Sequence, residues 1–445
     1  MKFAVAFALL SGCGFNVSGA SGDAAVSTDT PDAPLDALPT TCTPNEHACD
    51  GRDRLTCGAS STWDPAQTTT CDYTCAQGAC VVASNVSTQA VVACSSSAPR
   101  LAPAAGSTVT LSQSGGTHIE CSPDCGDPGV AQIAPAGTVS GTPGLAFFCF
   151  SSVSLPSSVT LARAATGGPA AAIAFIVDGD VSIAGEIDFD GGAAIATTTV
   201  DRGGGLGAPG GFDGAGLSSG GGGAGDGPCG GKGGHNDGSS SHWVGGGGGG
   251  GGALTSGAAG GKGKCQNGDH TADGGSVSDA CGTAALTPLV GGSGGGAGGD
   301  GTTNVQQGWP AGGGGGALQI SSRTRIVITG ALRASGGPGY GNSAFDGGGG
   351  GGAGGALLLE APSLSLTGAL RVDGGNGGKG GAGDGGTGAT GTSGPQIGLT
   401  YAANGQSGSG GGGAGGRIRL NSVGATCPAT ASPAASCTSG VLAPQ

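Results

Sequence analysis

The sequence predicts a mainly β protein: a parallel β-helix or solenoid with long Gly-rich loop insertions, preceded by a small disulfide-rich module. Three observations carry that class. Four stretches, beginning at Ile173, Leu318, Leu357 and Ile418, superpose residue for residue. Glycine supplies 107 of the 445 residues, and most of it lies between those stretches. Six cysteines, Cys42, Cys49, Cys57, Cys71, Cys75 and Cys80, crowd one short region ahead of them.

The chain opens with Met1-Lys2, an apolar run over 3–10, and Ser11-Gly12-Cys13. That run is too short to span a bilayer and has the form of an export signal. Leu10-Ser11-Gly12-Cys13 resembles the lipobox of bacterial lipoproteins. The resemblance implies a signal peptide over 1–12, cleavage before Cys13, and acylation of Cys13 as a lipid anchor. Gly14 stands where such lipoproteins carry Asp when they stay in the inner membrane. The resemblance therefore implies an outer-membrane lipoprotein at the cell surface. An ordinary secretory signal with an incidental cysteine is the alternative. Residues 13–41 follow as anchor and tether, rich in Ala, Ser, Thr, Pro and Asp and poor in anything that could form a core.

The six cysteines define a module over 42–80. Their density in an exported chain points to disulfides. Six cysteines permit fifteen pairings, and the spacing does not choose among them. A zinc site drawn from His47, Cys71 and Cys75 is the rival reading. The succession Cys42, Cys49, Leu55, Cys57, Trp63, Cys71, Cys75, Gly78 and Cys80 resembles a short Cys-rich unit of exported myxobacterial proteins. Together with the Gly-rich remainder, the chain resembles Gly-rich exported lipoproteins of the myxobacterial type. It is similar to mycobacterial Gly-rich surface proteins in composition alone. These resemblances imply export and surface display, and they carry over no catalytic residue.

Residues 81–160 are expected to cap the stack. They hold Cys94, Cys121, Cys125 and Cys149, the pair Val109/Leu111, the apolar run 145–150, and Val159/Leu161. An atypical first layer shields the open end of a solenoid. A separate small β domain is the alternative.

The repeating region runs over 161–424. Its first copy holds Ile173/Phe175, Val181/Ile183 and Ile187/Phe189. The second holds Leu318/Ile320, Ile326/Ile328 and Leu332/Ala334, and the third Leu357/Leu359, Leu364/Leu366 and Leu370/Val372. The fourth keeps only Ile418/Leu420. Alternation at period two puts each pair on one strand face. Ser182, Gln319, Arg325, Ser365 and Arg419 lie between and are expected to face outward, with Leu358 and Val327 breaking the rule. A single Gly (Gly185, Gly330 or Gly368) separates the second and third strands, where a tight corner calls for positive φ. One such copy cannot bury its apolar face, so like must stack on like. Uneven spacing is resolved if long loops leave the stack at one corner, after a closing Gly-Gly.

Those loops are the insertions 203–316, 336–355 and 374–416. Two readings compete for them. One is flexible coil, since Gly loses the most entropy on ordering. The other is extended polyglycine-like helices hydrogen-bonded sideways. Interruptions by Ala, Lys, Asp and Pro argue against a regular lattice, while Cys229, Trp243, Cys265, Cys281 and Trp309 argue against pure coil. A partly ordered, compact loop layer is the expectation. The tail 425–445 carries Cys427 and Cys437, which should close one loop. Without Cys13, fifteen of the 16 cysteines remain, and the odd one belongs in the first insertion.

Chemistry is sparse. Net charge is −13 and basic residues never cluster, which excludes nucleic-acid binding as a leading function. No phosphate loop, His-Glu-x-x-His or Gly-x-Ser-x-Gly occurs, so no nucleotide, metal or other cofactor is expected. Asp226, Asp300, Asp346 and Asp384 do not recur at the nine-residue period of calcium-binding Gly-rich repeats. His47, His118, His235, His242 and His270 show no ligand spacing, although the last three share a tract with three cysteines. Asp178, Asp180, Asp188, Asp190, Arg323 and Arg325 fall on outward positions of adjacent copies. They form either a catalytic face or ordinary ion pairs between layers, with Asp188 and Asp190 expected to be solvated. The expected function is a non-catalytic cell-surface structural or adhesive protein. Its partners would be the outer membrane, through the anchor, and envelope or matrix polysaccharide. The alternative is a polysaccharide-active lyase or glycoside hydrolase.

Overall fold

A computed structural model describes residues 41–444 except 95–96, 113–116, 128–129, 142, 164–170, 197–201, 217–221, 237–243, 266–269, 302–307, 342–344, 382–384, 387–393 and 401–405. The signal peptide, Cys13, most of the tether, Trp243, His242 and Asp384 lie outside the described residues. The remainder is mainly β, with parallel and antiparallel sheets and one short helix, Thr88–Ala93.

Three sheets are threaded by the same chain, layer after layer. A seven-stranded sheet contains Leu145–Phe150, Ala172–Val177, Ala317–Ser322, Ala356–Glu360, Arg417–Asn421 and Cys437–Gly440, all parallel, with Gly137–Val139 antiparallel at one edge. A four-stranded parallel sheet contains Val153–Leu155, Val181–Ile183, Arg325–Ile328 and Ser363–Leu366. The eight-stranded third sheet includes Thr160–Arg163, Glu186–Asp188, Ala331–Arg333 and Ala369–Arg371 in parallel. The registers follow the repeats: Ile173, Leu318, Leu357 and Ile418 are paired in succession, as are Val181, Ile326 and Leu364, and Ile187, Leu332 and Leu370. Their side chains form one continuous buried core, joined at one end by Phe148, Phe150 and Phe175.

Two expectations change. Residues 145–163 form a complete layer in register with the first copy, since Phe148 pairs with Phe175, Val153 with Val181 and Leu161 with Ile187. The layer lacks the Gly-Gly lead-in that marks the later copies. Further up the chain Thr108–Ser112 pairs in parallel with Thr160–Arg163, and the edge beyond it is covered by the antiparallel strands His118–Ser122 and Gln132–Ile133. The corner glycines also have a different reason to be glycine. None of Gly185, Gly330 and Gly368 has positive φ. A Cβ on Gly330 would instead lie 1.9 Å from the Gly185 carbonyl oxygen, and one on Gly368 would lie 2.1 Å from that of Gly330. Corners stack on corners too closely for any side chain.

The glycine insertions form a lattice far more regular than expected. In 245–252 the amides of Gly245, Gly248 and Gly251 donate to Phe345, Gly348 and Gly351. Those of Gly246, Gly249 and Gly252 donate to His235, Lys232 and Cys229, and those of Gly247 and Gly250 to Gly261 and Ala258. Carbonyls of Gly245, Gly248 and Gly251 accept from Gly408, Gly411 and Ala414, those of Gly246 and Gly249 from Gly299 and Gly296, and that of Gly247 from Gly275. Partners therefore recur every third residue, the turn of an extended polyproline-II helix. Each segment meets six neighbours, three through amides and three through carbonyls. Residues 291–299, 309–316, 347–355 and 408–416 are ringed in the same way.

The interruptions obey the same period. Lys232 and His235 are exposed, as are Asp273, Ser276 and Asp279, and Asn376 and Lys379. With three residues per turn, every third side chain points the same way, here out of the lattice. Segments 245–252, 291–299, 347–355 and 408–416 hold nothing larger than Ala or Ser, as at Ala297, Ala353, Ser409 and Ala414, while 309–316 begins with buried Trp309 and Pro310. Lattice and sheets share one hydrogen-bond ladder. Gly355 donates to Ala334, Ala356 to Gly316, Gly416 to Val372 and Arg417 to Gly355.

Candidate functional surfaces

The outward carboxylates and arginines meet as ion pairs between layers. Arg325 Nε donates to Asp180 Oδ2 at 2.9 Å, and Thr324 Oγ1 to the other Asp180 oxygen at 2.6 Å. Both charged partners are half exposed, so the pair is worth little on its own. Arg323 pairs with Asp178 and is buried. Arg333 pairs with both Glu186 and Asp190. Asp190 is thus not a solvated carboxylate as expected: it is half-buried, accepts the Ser335 amide at 2.6 Å, and burial raises its pKa against that bond and the Arg333 charge.

The cysteines pair as Cys42–Cys57, Cys49–Cys75, Cys71–Cys80, Cys94–Cys149, Cys121–Cys125, Cys229–Cys281 and Cys427–Cys437. Cys265 remains a thiol, buried with Val244 and Ala272 inside the first insertion. Cys71 and Cys75 of the rival zinc set are thereby committed, and His47 Nδ1 lies 3.2 Å from Thr56 Oγ1. Among the described residues no three His, Cys, Asp or Glu side chains are grouped to hold a metal ion.

The Cys-rich module and the segment just after it are packed on the sheets. Tyr73 of the module, followed by Val81, Val86 and Val91, packs on the outward face of the seven-stranded sheet, against Ala172, Ala174, Ile176 and Leu358. A second core therefore lies outside the first, and Leu358, the rule-breaker of the third copy, belongs to it. Two buried charges pin this interface. Arg323 Nη2 donates to the Val91 carbonyl at 3.0 Å, while its own carbonyl accepts from Thr74 Oγ1 at 2.9 Å. Glu360, fully buried, accepts from the Ser84 amide and hydroxyl, Gln319, Ser321 and Asn421, at 2.6–3.1 Å. Five donors satisfy a carboxylate that would otherwise be very costly to bury. Burial, and then the Glu360 charge, push the Tyr73 hydroxyl pKa well above its ordinary value. Neither residue was a candidate at the sequence level.

A cleft opens where lattice and seven-stranded sheet join. Arg417 forms one wall, and Leu254, Thr283, Leu286, Pro288 and Val290 contribute to the others. Arg417 and Arg419 both reach the Thr438 hydroxyl, at 3.4 and 3.5 Å. Burial, and then the neighbouring Arg419 charge, lower the Arg417 pKa.

No family model matches the chain, and no curated protein and no solved structure is significantly similar to it.

Proposed function

We propose that the protein is a non-catalytic structural or adhesive component of the cell surface. In this reading its three sheets are the walls of a parallel β-helix, and Cys13 carries the lipid that holds it at the outer membrane. One observation supports it above the others: the longest insertions, where a repeat protein commonly carries mobile binding loops, are cross-linked residue by residue through their backbones. Such a slab is suited to spacing, packing or presenting a face. The outward Asp–Arg pairs add weight, because Asp178, Asp180 and Asp190 are each tied to a guanidinium. Envelope or matrix polysaccharide is the proposed contact of the adhesive form.

A glycan array combined with a reducing-end release assay tests the reading. Binding without release is the expected result. Release abolished by Asp180→Asn or Asp188→Asn would replace adhesion with polysaccharide cleavage. The anchor is tested separately, by fractionating cells that express Cys13→Ser. The variant should move to soluble or secreted fractions. Retention in the membrane, with no acyl mass on the wild-type Cys13 peptide, would remove the anchor.

A further inference from the structure

We propose that Arg417 and Arg419 form a binding site for a carboxylate carried on a small aliphatic body. The two arginines leave the same face of Arg417–Asn421, because Ile418 and Leu420 between and beyond them turn into the core. Their guanidinium groups converge on one hydroxyl, that of Thr438. Like charges so placed repel, and a structural role would call for a carboxylate between them. None is there: among the described residues neither arginine forms an ion pair, and Arg419 is linked to Glu360 only through Asn421. Arg323, Arg325 and Arg333 of the earlier layers each hold an Asp or Glu. A paired, uncompensated cation site stands out in a chain of net charge −13.

The surroundings narrow the ligand. Arg417 Nε is buried without a hydrogen-bond acceptor, as are those of Arg54, Arg323 and Arg333, but the Arg323 and Arg333 guanidinium groups hold a carboxylate through their other nitrogens and, among the described residues, that of Arg417 does not. The cleft measures about 30 Å³, room for a single small group. Leu254, Leu286, Pro288 and Val290 line it with hydrocarbon. A guanidinium fork matches the two oxygens of a carboxylate. The head would sit on Arg417, with Arg419 adding charge, and the aliphatic body would cover the apolar walls. An incoming anion also offsets the burial, and then the Arg419 repulsion, that lower the Arg417 pKa.

The same chemistry is offered by a free short-chain carboxylic acid and by a peptide ending in an aliphatic residue. Calorimetric titration of the full chain separates them, with hexanoate, N-acetyl-alanyl-valine, the amide of that peptide, and sodium sulfate as probes. At least one of the two acids should bind saturably, with the amide and sulfate weaker by roughly tenfold or more. Binding by hexanoate alone assigns a free acid, and binding by the peptide acid alone assigns a chain terminus. Arg417→Gln should weaken binding by roughly tenfold and Arg417→Lys by less, since charge survives without the fork. Leu254→Asp provides an independent variant at another lining residue, and it should also weaken binding. No saturable binding by either acid would overturn the proposal, as would equal binding of amide or sulfate. So would affinity unchanged in both Arg417→Gln and Leu254→Asp.

Discussion

In the stacked sheets a side chain joins one layer to the next: Ile183 and Ile328 are paired in register and fully buried, with Leu366 following. In the glycine lattice a side chain would push neighbours apart. A Cβ on Gly248 would lie 1.9 Å from the Gly296 carbonyl oxygen, and one on Gly410 would lie 2.0 Å from that of Gly349. The first region is held by hydrocarbon removed from water, with hydrogen bonds setting the register. The second is held mainly by backbone hydrogen bonds, with small apolar clusters such as Ala215, Ala297 and Ala311 within it. Both are joined laterally by backbone hydrogen bonds, so the chain crosses from one regime to the other within one ladder. Backbone geometry is shared, and side-chain size decides which kind of order follows.

The sharpest way to break the sheet side of this comparison is Ile328→Asp. An uncompensated buried charge should cost about 3–5 kcal/mol and dissolve the stack. Circular dichroism and protease resistance like those of the wild type would refute the ladder. Leu366→Asp should do less, because Leu366 is only partly buried, on the edge strand of the four-stranded sheet.

The lattice side is broken by adding what the sheets require. Gly248→Val should cost about 1–3 kcal/mol or more from overpacking, whereas Lys232→Val, on an outward position, should stay within about 0.5 kcal/mol. Hydrogen exchange reads the difference, since amides of 245–252 should be slow in the wild type and in Lys232→Val, and fast in Gly248→Val. Equal effects of the two substitutions would mean that the lattice is not packed as described.

Between the two regimes lies the module interface, where Glu360→Gln replaces an acceptor of five donors with a group that itself donates. A loss of about 1–3 kcal/mol is expected in thermal melts. A neutral result would show that the carboxylate does not pin the module to the sheet.

The smallest effect concerns Asp190, at the corner where sheet becomes lattice. Burial raises its pKa, so the fold holds this proton to higher pH than the unfolded chain does. Its contribution to stability is full below about pH 4 and is lost as pH rises through the folded value. The wild type should therefore lose stability relative to Asp190→Asn between about pH 3 and pH 6, by less than about 1 kcal/mol. The opposite slope would mean that Arg333, and not burial, controls the carboxylate.

Much of the stack was legible because its pattern is made of side chains. Ile173, Leu318, Leu357 and Ile418 announce a ladder through period two and Gly-Gly fences alone. The second core was not read, although its signal was present. Ile176 and Leu358 are large and apolar at outward positions, which asks for a cover, supplied by Tyr73 of the module, by Val81, Val86 and Val91 after it, and by Leu286 and Leu289 of the first insertion. The lattice was read as irregular because its interruptions were counted without their spacing. Asp373-Gly-Gly-Asn376-Gly-Gly-Lys379 and Asp273-Gly-Gly-Ser276 carry a period of three, the signature of the helix they form. In the sequence Arg419 is an ordinary outward residue, and Arg417 carries no signal of its own. Nothing local distinguishes them from Arg333, whose partners come from a distant layer, so only the fold reveals which arginines are matched.

The rule that every partner in the lattice is a peptide group has a thermal consequence. Exposing apolar surface on unfolding raises the heat capacity, and exposing polar surface lowers it. Melting residues 245–252 and their neighbours would wet peptide groups and almost no hydrocarbon. The heat-capacity increment of the whole chain should then fall below the usual ~12–15 cal/mol/K per residue. A small increment flattens the dependence of stability on temperature. The sheets alone would weaken on cooling as their hydrophobic term fades, while the slab beside them should keep its strength in the cold.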